Sequence, residues 1–332
     1  MVAFARQKWT TLRRVSMRRR TAALTPYALF GRRPVAAAVL GALSIAFSGI
    51  LVRLADVEPA TAAIFRCAYA LPFLALLAWG ERRAYGPRPA SQVWLAWGAG
   101  VFFAIDLELY HHTIGLVGAG LATVMGNTQV VFVALLAWWL LRERMPTRTA
   151  LAIPLVLAGV ILISGIIGAG AYGANPGLGV VVGLGTGVSY AFFLLVLRRG
   201  NADVRRPAGP LLDATLASTL VSILIGLPLG EVDLVPSWPA HAWLFLLALS
   251  AQVIGWLLIS ISLPRLPAAL TSVVLTLQPV GSVVLAMILL AEAPSAVQLG
   301  GAGLILVGLL LATIRRRGDP APTPAVSEPE FG

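Results

Sequence analysis

Cysteine, histidine and acidic residues are scarce in this chain of 332 residues, which holds one Cys, three His and 14 Asp or Glu. With only Cys67, neither a disulfide within the chain nor a thiolate metal cluster can form. Charged residues of both signs make up 12% of the chain, against roughly 25% in a soluble domain. Long polar segments are missing between the two ends, which leaves no room for a soluble catalytic domain. Apolar residues are abundant instead, at 58%. They form runs near 20 residues long, each sufficient to cross a hydrocarbon core of about 30 Å.

Ten such spans are predicted, at 35–53, 60–80, 92–112, 117–141, 148–168, 177–198, 209–229, 241–263, 267–290 and 297–315. The chain carries a net charge of +11, but its basic residues do not cover a soluble face. They gather between the runs, so membrane topology explains them and no nucleic-acid partner is expected. With the N-terminus inside, all but two of the 25 Lys and Arg fall on the cytoplasmic side. Those two are Arg53, at an outer end, and Arg66, within span two. The outer loops hold acids: Asp56, Glu58, Glu231, Asp233 and Glu292. This asymmetry predicts ten helices with both termini cytoplasmic.

Residues 1–33 form a basic tail suited to anionic lipid, with Met17 as an alternative start. Residues 317–332 are Pro-rich and polar, and are expected to be disordered. Between the tails lie two repeats, 34–168 and 177–316. Trp94, Ala119, Thr123, Gln129, Glu143 and Gly159 recur as Trp243, Ala268, Ser272, Gln278, Glu292 and Gly308, at a constant offset of 149. An odd number of spans per repeat makes the second half enter the membrane from the opposite side. The fold expected is therefore all-α and membrane-integral, ten helices in two inverted five-helix repeats. Small residues at close spacing, such as Gly98 with Gly100 and Gly300 with Gly301 and Gly303, suit close helix packing. They would also serve helix sliding or a homodimer contact.

Ionisable groups at bilayer depth cost roughly 2.5–3.5 kcal/mol and need a partner or a wet cavity. Arg66 and Asp106 lie equally far in from the outer ends of spans two and three. Opposite sign at equal depth suggests a buried pair, either an outer gate or carboxylate clamp, or a structural lock. Span three continues through Glu108, Tyr110, His111 and His112. Helical geometry points Glu108 between the two histidines and puts Asp106 and Tyr110 on a different face. The cluster reads as a proton relay or as an interfacial polar cap. A metal is not expected, because the His-Glu-x-x-His spacing is missing and no second group of ligands stands out.

A second polar set falls at midplane: Ser44, Asn127, Gln129, Ser189, Tyr190, Gln252, Trp256 and Gln278. Uncharged polar groups at one depth in both repeats read as a hydrated substrate cavity. The alternative is interhelical hydrogen bonding, worth about 0.6 kcal/mol per contact. Asn127 and Gln129 lie about 200° apart on a helix, so they do not share a face. Pro279 follows Gln278, removes a backbone donor and can kink span nine.

These features resemble the drug/metabolite transporter superfamily in its EamA-like branch. The residues that carry the resemblance are Arg66 within IFRCAYA, the segment AGLATVMGNTQVVFVALLAWWLLRER and its mate AALTSVVLTLQPVGSVVLAMILLAEAP, with Pro279, Glu143 and Glu292. Val130 stands where the family often has Pro. The resemblance spans about residues 35–316. It implies spans one, three, four, six, eight and nine around a cavity, with five and ten peripheral. It also implies a secondary transporter of the cytoplasmic membrane, neither an enzyme nor in need of a cofactor, moving a small polar metabolite by alternating access. An amino acid is the first guess and export the expected direction. Amides, hydroxyls and aromatics without a committed charge would suit a neutral or zwitterionic solute, and Asp106, Glu108 or His111 would carry protons in a coupled cycle. The competing readings are an integral-membrane enzyme on a lipid-linked substrate and a passive channel.

Overall fold

A computed structural model describes residues 33–141, 147–167, 170–200, 203, 205–262, 274, 275 and 277–313. Glu143, Ser272, Arg265 and both tails lie outside the described residues. Within them the fold is all-helical and contains no strand. The helices are α1 (Pro34–Ala46), α2 (Ser48–Ala55), α3 (Pro59–Ala68), α4 (Leu71–Tyr85), α5 (Ala90–Val117), α6 (Ala119–Gly126) and α7 (Gln129–Leu141). They continue as α8 (Thr147–Ile163), α9 (Pro176–Gly200), α10 (Ala208–Leu229) and α11 (Trp238–Leu247). A π-helical segment, Ala248–Gly255, then leads into α12 (Trp256–Ser262), and α13 (Leu277–Leu289) and α14 (Ala296–Thr313) follow.

Seven stretches are long and apolar enough to cross a membrane: Pro34–Ala55, Pro59–Tyr85, Ala90–Val117, Ala119–Leu136, Pro176–Leu197, Ala208–Leu229 and Trp238–Ser262. Ala150–Ile163, Leu277–Leu289 and Ala296–Ala312 are shorter apolar helices. Boundaries differ from expectation where turn chemistry intervenes. Gly118, at φ +88, ends α5 and starts the next helix at Ala119. Span five stops at Ile163, ahead of Gly165 at φ +75, rather than reaching 168.

Four spans are not continuous α-helices. Span one breaks at Phe47, span two at Tyr69 and Ala70 just before Pro72, and span four at Asn127 and Thr128. Span eight winds through the π segment. Only the second has a proline at hand. At the span-four break the Asn127 side chain donates to Thr123 O at 2.8 Å, and Thr128 Oγ1 donates to Met125 O at 2.6 Å. These short side chains add a second donor to carbonyls that already accept from Asn127 N and Thr128 N.

Helices half a chain apart pack together: α3 and α4 on α10, α6 on α13, and α8 on α14. The long α5 lies against both α9 and α10, while α1 contacts the π segment, α12 and α13. Small residues set the closest approaches. A Cβ on Gly159 would meet Gly301 O at 2.5 Å, and one on Gly301 would meet Gly159 O at 2.6 Å. Gly100 approaches Ala214 O as closely, whereas Gly300 and Gly303 face open space. The small-residue pattern is thus mixed, with some positions packed and others on the outer surface.

Loops cluster at two ends. At one, Asn175 N donates to Leu116 O, Gln298 Nε2 donates to Tyr172 O, and Thr61 Oγ1 donates to Glu231 O. The Glu292 carboxylate accepts from Ala119 N at 2.6 Å and Gly120 N at 3.2 Å, capping α6. At the other end Glu81 caps α10 in the same way, through Ala208 N and Gly209 N. Arg88 pairs with Asp213 there, and Arg205 and Arg206 clasp Asp203. The hydrogen bonds from Arg205 hold the Asp203 carboxyl down to about 2.

Candidate functional site

Three of the four breaks, those of spans one, four and eight, have residues beside them that line a cavity of about 60 Å³. That volume holds roughly four waters. Its polar wall comprises Ser48, Arg66, Asp106, Tyr110, Asn127 and Gln278, and Phe103, Tyr190 and Trp256 supply its aromatic wall. Ser48 opens α2, Arg66 lies in the last turn of α3, and Asn127 sits in the gap between α6 and α7. Interrupted helices expose backbone groups, which is tolerable at membrane depth only beside protein or a wet cavity. The polar side chains therefore stand where the backbone also needs a polar neighbour.

Arg66 is 4% exposed and donates twice. Its Nη1 reaches Ser48 Oγ at 3.0 Å and its Nε reaches Gln252 Oε1 at 3.3 Å. Gln252 passes the chain on, donating from Nε2 to Thr215 Oγ1 at 3.0 Å. The guanidinium also lies 5.9 Å from the centre of the Phe103 ring. Asp106, 6% exposed, lines the same cavity and has no hydrogen-bond partner among the described residues. Arg66 and Asp106 do not form an ion pair within 4 Å, because Arg66 is turned toward Ser48 and Gln252. Tyr110 OH is bonded to Thr123 Oγ1 at 2.9 Å, and Thr123 to Ser282 Oγ at 2.9 Å, tying α5 to α6 and α13.

Phe193 is the anchor of the aromatic wall. It stacks on Phe103 with ring centroids 4.6 Å apart and meets Trp256 edge-on at 5.3 Å. Tyr190 stacks on Phe193 at 6.1 Å.

The residues expected at the site divide. Arg66, Asp106, Tyr110, Asn127, Tyr190, Trp256 and Gln278 line the cavity. Ser44 does not. The break at Phe47 hands its place to Ser48, one turn on, and Ser44 is half-buried in α1. Gln129 is buried but off the cavity, on the far side of the Asn127 break. Ser189 is half-buried beside Tyr190 and points elsewhere, as its 100° offset on α9 requires. Gln252 acts one step back, holding Arg66. Pro279 is buried in span nine, directly after Gln278. Thr123 and Thr186 line the cavity unpredicted, and a helical offset from Asn127 and Tyr190 could have found them.

Glu108 and His111 are also off the cavity. His111 Nδ1 bonds to Pro59 O at 3.1 Å. Glu108 faces His112 and Glu231, so the two faces of α5 serve different places. Arg66 and Asp106 share a cavity with Asn127 and Gln278.

A helical bundle with seven membrane-length apolar spans is a multi-pass membrane protein, and this one holds a cavity lined by groups of both chemical characters, acidic and basic. The model of the EamA-like transporter family matches residues 32–165 and again 177–314, and the chain belongs to that family. The two matches give the chain a two-repeat layout. A curated relative, the uncharacterized transporter YetK of Bacillus subtilis (strain 168), is 24% identical over 216 residues. The match covers 62% of this chain and 62% of that relative. One solved crystal structure shares the fold at a TM-score of 0.57 and 19% identity, covering 84% of this chain and 96% of its own. Family membership points to a membrane transporter rather than an enzyme.

Proposed function

We propose that this protein is a secondary transporter that moves a zwitterionic metabolite, with an amino acid as the first candidate, by alternating access. The carrying observation is one cavity lined by a guanidinium, a carboxylate and an aromatic wall. Arg66 would take a substrate carboxylate and Asp106 an ammonium, while Trp256, Tyr190 and Phe103 would face the remainder. The wall thus offers one acidic and one basic side chain, unlike the uncharged midplane expected from sequence. That favours a zwitterion over a neutral solute or a single ion. At about 60 Å³ the cavity falls far short of the roughly 300–1,000 Å³ of a drug-sized site. Substrate entry therefore requires the helices to part, and the breaks at Phe47, Asn127 and the π segment are where they would bend.

In this reading ten spans form two inverted five-helix repeats in the cytoplasmic membrane, with both termini inside. The basic loops and the packing of α3 and α4 on α10, α6 on α13 and α8 on α14 support it. Export is the direction proposed from the family resemblance.

Counterflow in proteoliposomes against a panel of labelled amino acids tests the proposal. Saturable counterflow of one or a few is expected, and a linear, unsaturable flux would make the protein a channel. Hydrogen bonds to charged groups are worth about 1.5–3 kcal/mol, so Arg66→Gln or Asp106→Asn should weaken half-saturation roughly 10- to 100-fold. Silence across the panel in folded protein would withdraw the amino-acid assignment. A pH gradient imposed across the same vesicles separates proton-coupled from uncoupled movement.

A further inference from the structure

Away from the cavity, three ligand-bearing side chains converge at the end of the bundle where α5 meets the α10–α11 loop. They are Glu108, His112 and Glu231, whose donor atoms all lie within 4.8 Å of one another. His112 Nε2 is 3.1 Å from Glu231 Oε1. Glu231 comes from 119 positions along the chain, so no spacing within span three could reveal it.

The hydrogen-bond inventory of this cluster does not close. His112 Nδ1 is 2.8 Å from the Glu108 carbonyl, an acceptor, so Nδ1 carries the hydrogen. In the neutral ring Nε2 then presents a lone pair toward Glu231 Oε1, which also presents lone pairs. Glu108 is 5% exposed and both its carboxylate oxygens are buried without a partner. Glu231 Oε2 is in the same condition. Ser222 Oγ is buried beside Glu108 and is the hydroxyl donor at hand for its carboxylate. A proton on His112 would settle its contact with Glu231 Oε1, and the Ser222 hydroxyl can serve one oxygen of Glu108, which leaves two carboxylate oxygens unanswered. Buried acceptors without a donor cost about 1–3 kcal/mol each, more when charged.

We propose that Glu108, His112 and Glu231 form a binding site for a divalent cation of the zinc type. One imidazole nitrogen with two carboxylates is a donor set that suits Zn²⁺ over Mg²⁺ or Ca²⁺. Two carboxylates and a neutral imidazole balance its charge, which makes the site electroneutral and tolerable near membrane depth. The Nδ1–H bond to the Glu108 carbonyl fixes the tautomer and aims Nε2, the usual outer support of a metal-bound histidine. Ligands at about 2.0–2.2 Å from a tetrahedral ion stand roughly 3.3 Å apart, and the His112–Glu231 pair already has that spacing. Three protein ligands leave a fourth position for water.

The site would join the two halves. Glu231 is held against α3 through Thr61, which donates to Glu231 O at 2.7 Å and accepts from Asp233 N at 2.8 Å. A cation here would therefore tie α5 to the α10–α11 loop and, through Thr61, to α3.

The test is Zn²⁺ binding by tag-free protein in detergent after chelator treatment, read by titration and by thermal unfolding. Wild type should bind one saturable equivalent and unfold at a higher temperature with Zn²⁺ present. Glu231→Gln and His112→Gln should lose both effects, while unfolding as wild type does in chelator. His241→Gln, which alters the other half-exposed histidine, should keep both. No saturable binding by wild type, or equal binding by the two ligand variants, would overturn the site. So would loss of binding in His241→Gln. Should the ligand variants aggregate, Co²⁺ added to wild type decides: visible absorption of a tetrahedral nitrogen–oxygen site supports it, and its absence refutes it.

Discussion

A single carboxylate illustrates how residues hold this bundle together. Glu292 is 4% exposed and meets two backbone N–H groups at the start of α6. Beneath it Gly118 takes φ +88, and a Cβ there would sit 2.7 Å from Glu292 Oε2. The cap therefore needs both the acid and the glycine. Glu292→Gln keeps the shape but weakens the charge-assisted bonds, and should cost about 1.5–3 kcal/mol of stability. Thermal unfolding in mild detergent would read this, and an unchanged midpoint would mean the cap is idle. Glu292 was visible in the sequence as the mate of Glu143 at a helix end, but its partner at Ala119 was not, because 173 positions separate them. Arg66 follows the same pattern. Its rarity inside a span marked it, while Ser48 and Gln252 became its partners only through folding.

At the level of elements, packing is decided by which face of a helix lacks bulk. Gly159 and Gly301 bring α8 and α14 to near backbone contact, while Gly300 next door faces open space. Gly159→Val should destabilise by about 1–3 kcal/mol through overpacking. Gly300→Val should change little. Paired unfolding measurements check this, and equal losses would contradict the packing. The glycine pattern showed that close approach was available, though not which glycine used it. The broken spans were harder to foresee. Span four breaks at Asn127 without a proline to mark it. Short polar side chains bonding back to Thr123 O and Met125 O open the turn, and such bonds depend on the surrounding cavity.

For the molecule as a whole, alternation across the membrane is the property on which transport rests. Arg205 and Val235 stand exposed in the loops on either side of α10. In a Cys67→Ser background, Arg205→Cys and Val235→Cys should be labelled from opposite faces by a membrane-impermeant maleimide. Inverted vesicles should exchange the two. Labelling of both from one face would break the ten-span topology.

Apolar run length, the basic loops and the 149-residue repeat were properties of sequence alone, because bilayer thickness and insertion energetics act locally on each segment. They determined the helical class, the repeats and most of the polar residues that matter. The two faces of α5 were also readable, since 100° per residue separates Asp106 and Tyr110 from Glu108. Only the tertiary structure decided what those faces meet. It turned Arg66 away from Asp106 toward Ser48 and Gln252, gathered the cavity at the helix breaks, and brought Glu231 to His112. Such contacts join residues from separate spans, and their distances follow from helix packing that no local pattern encodes.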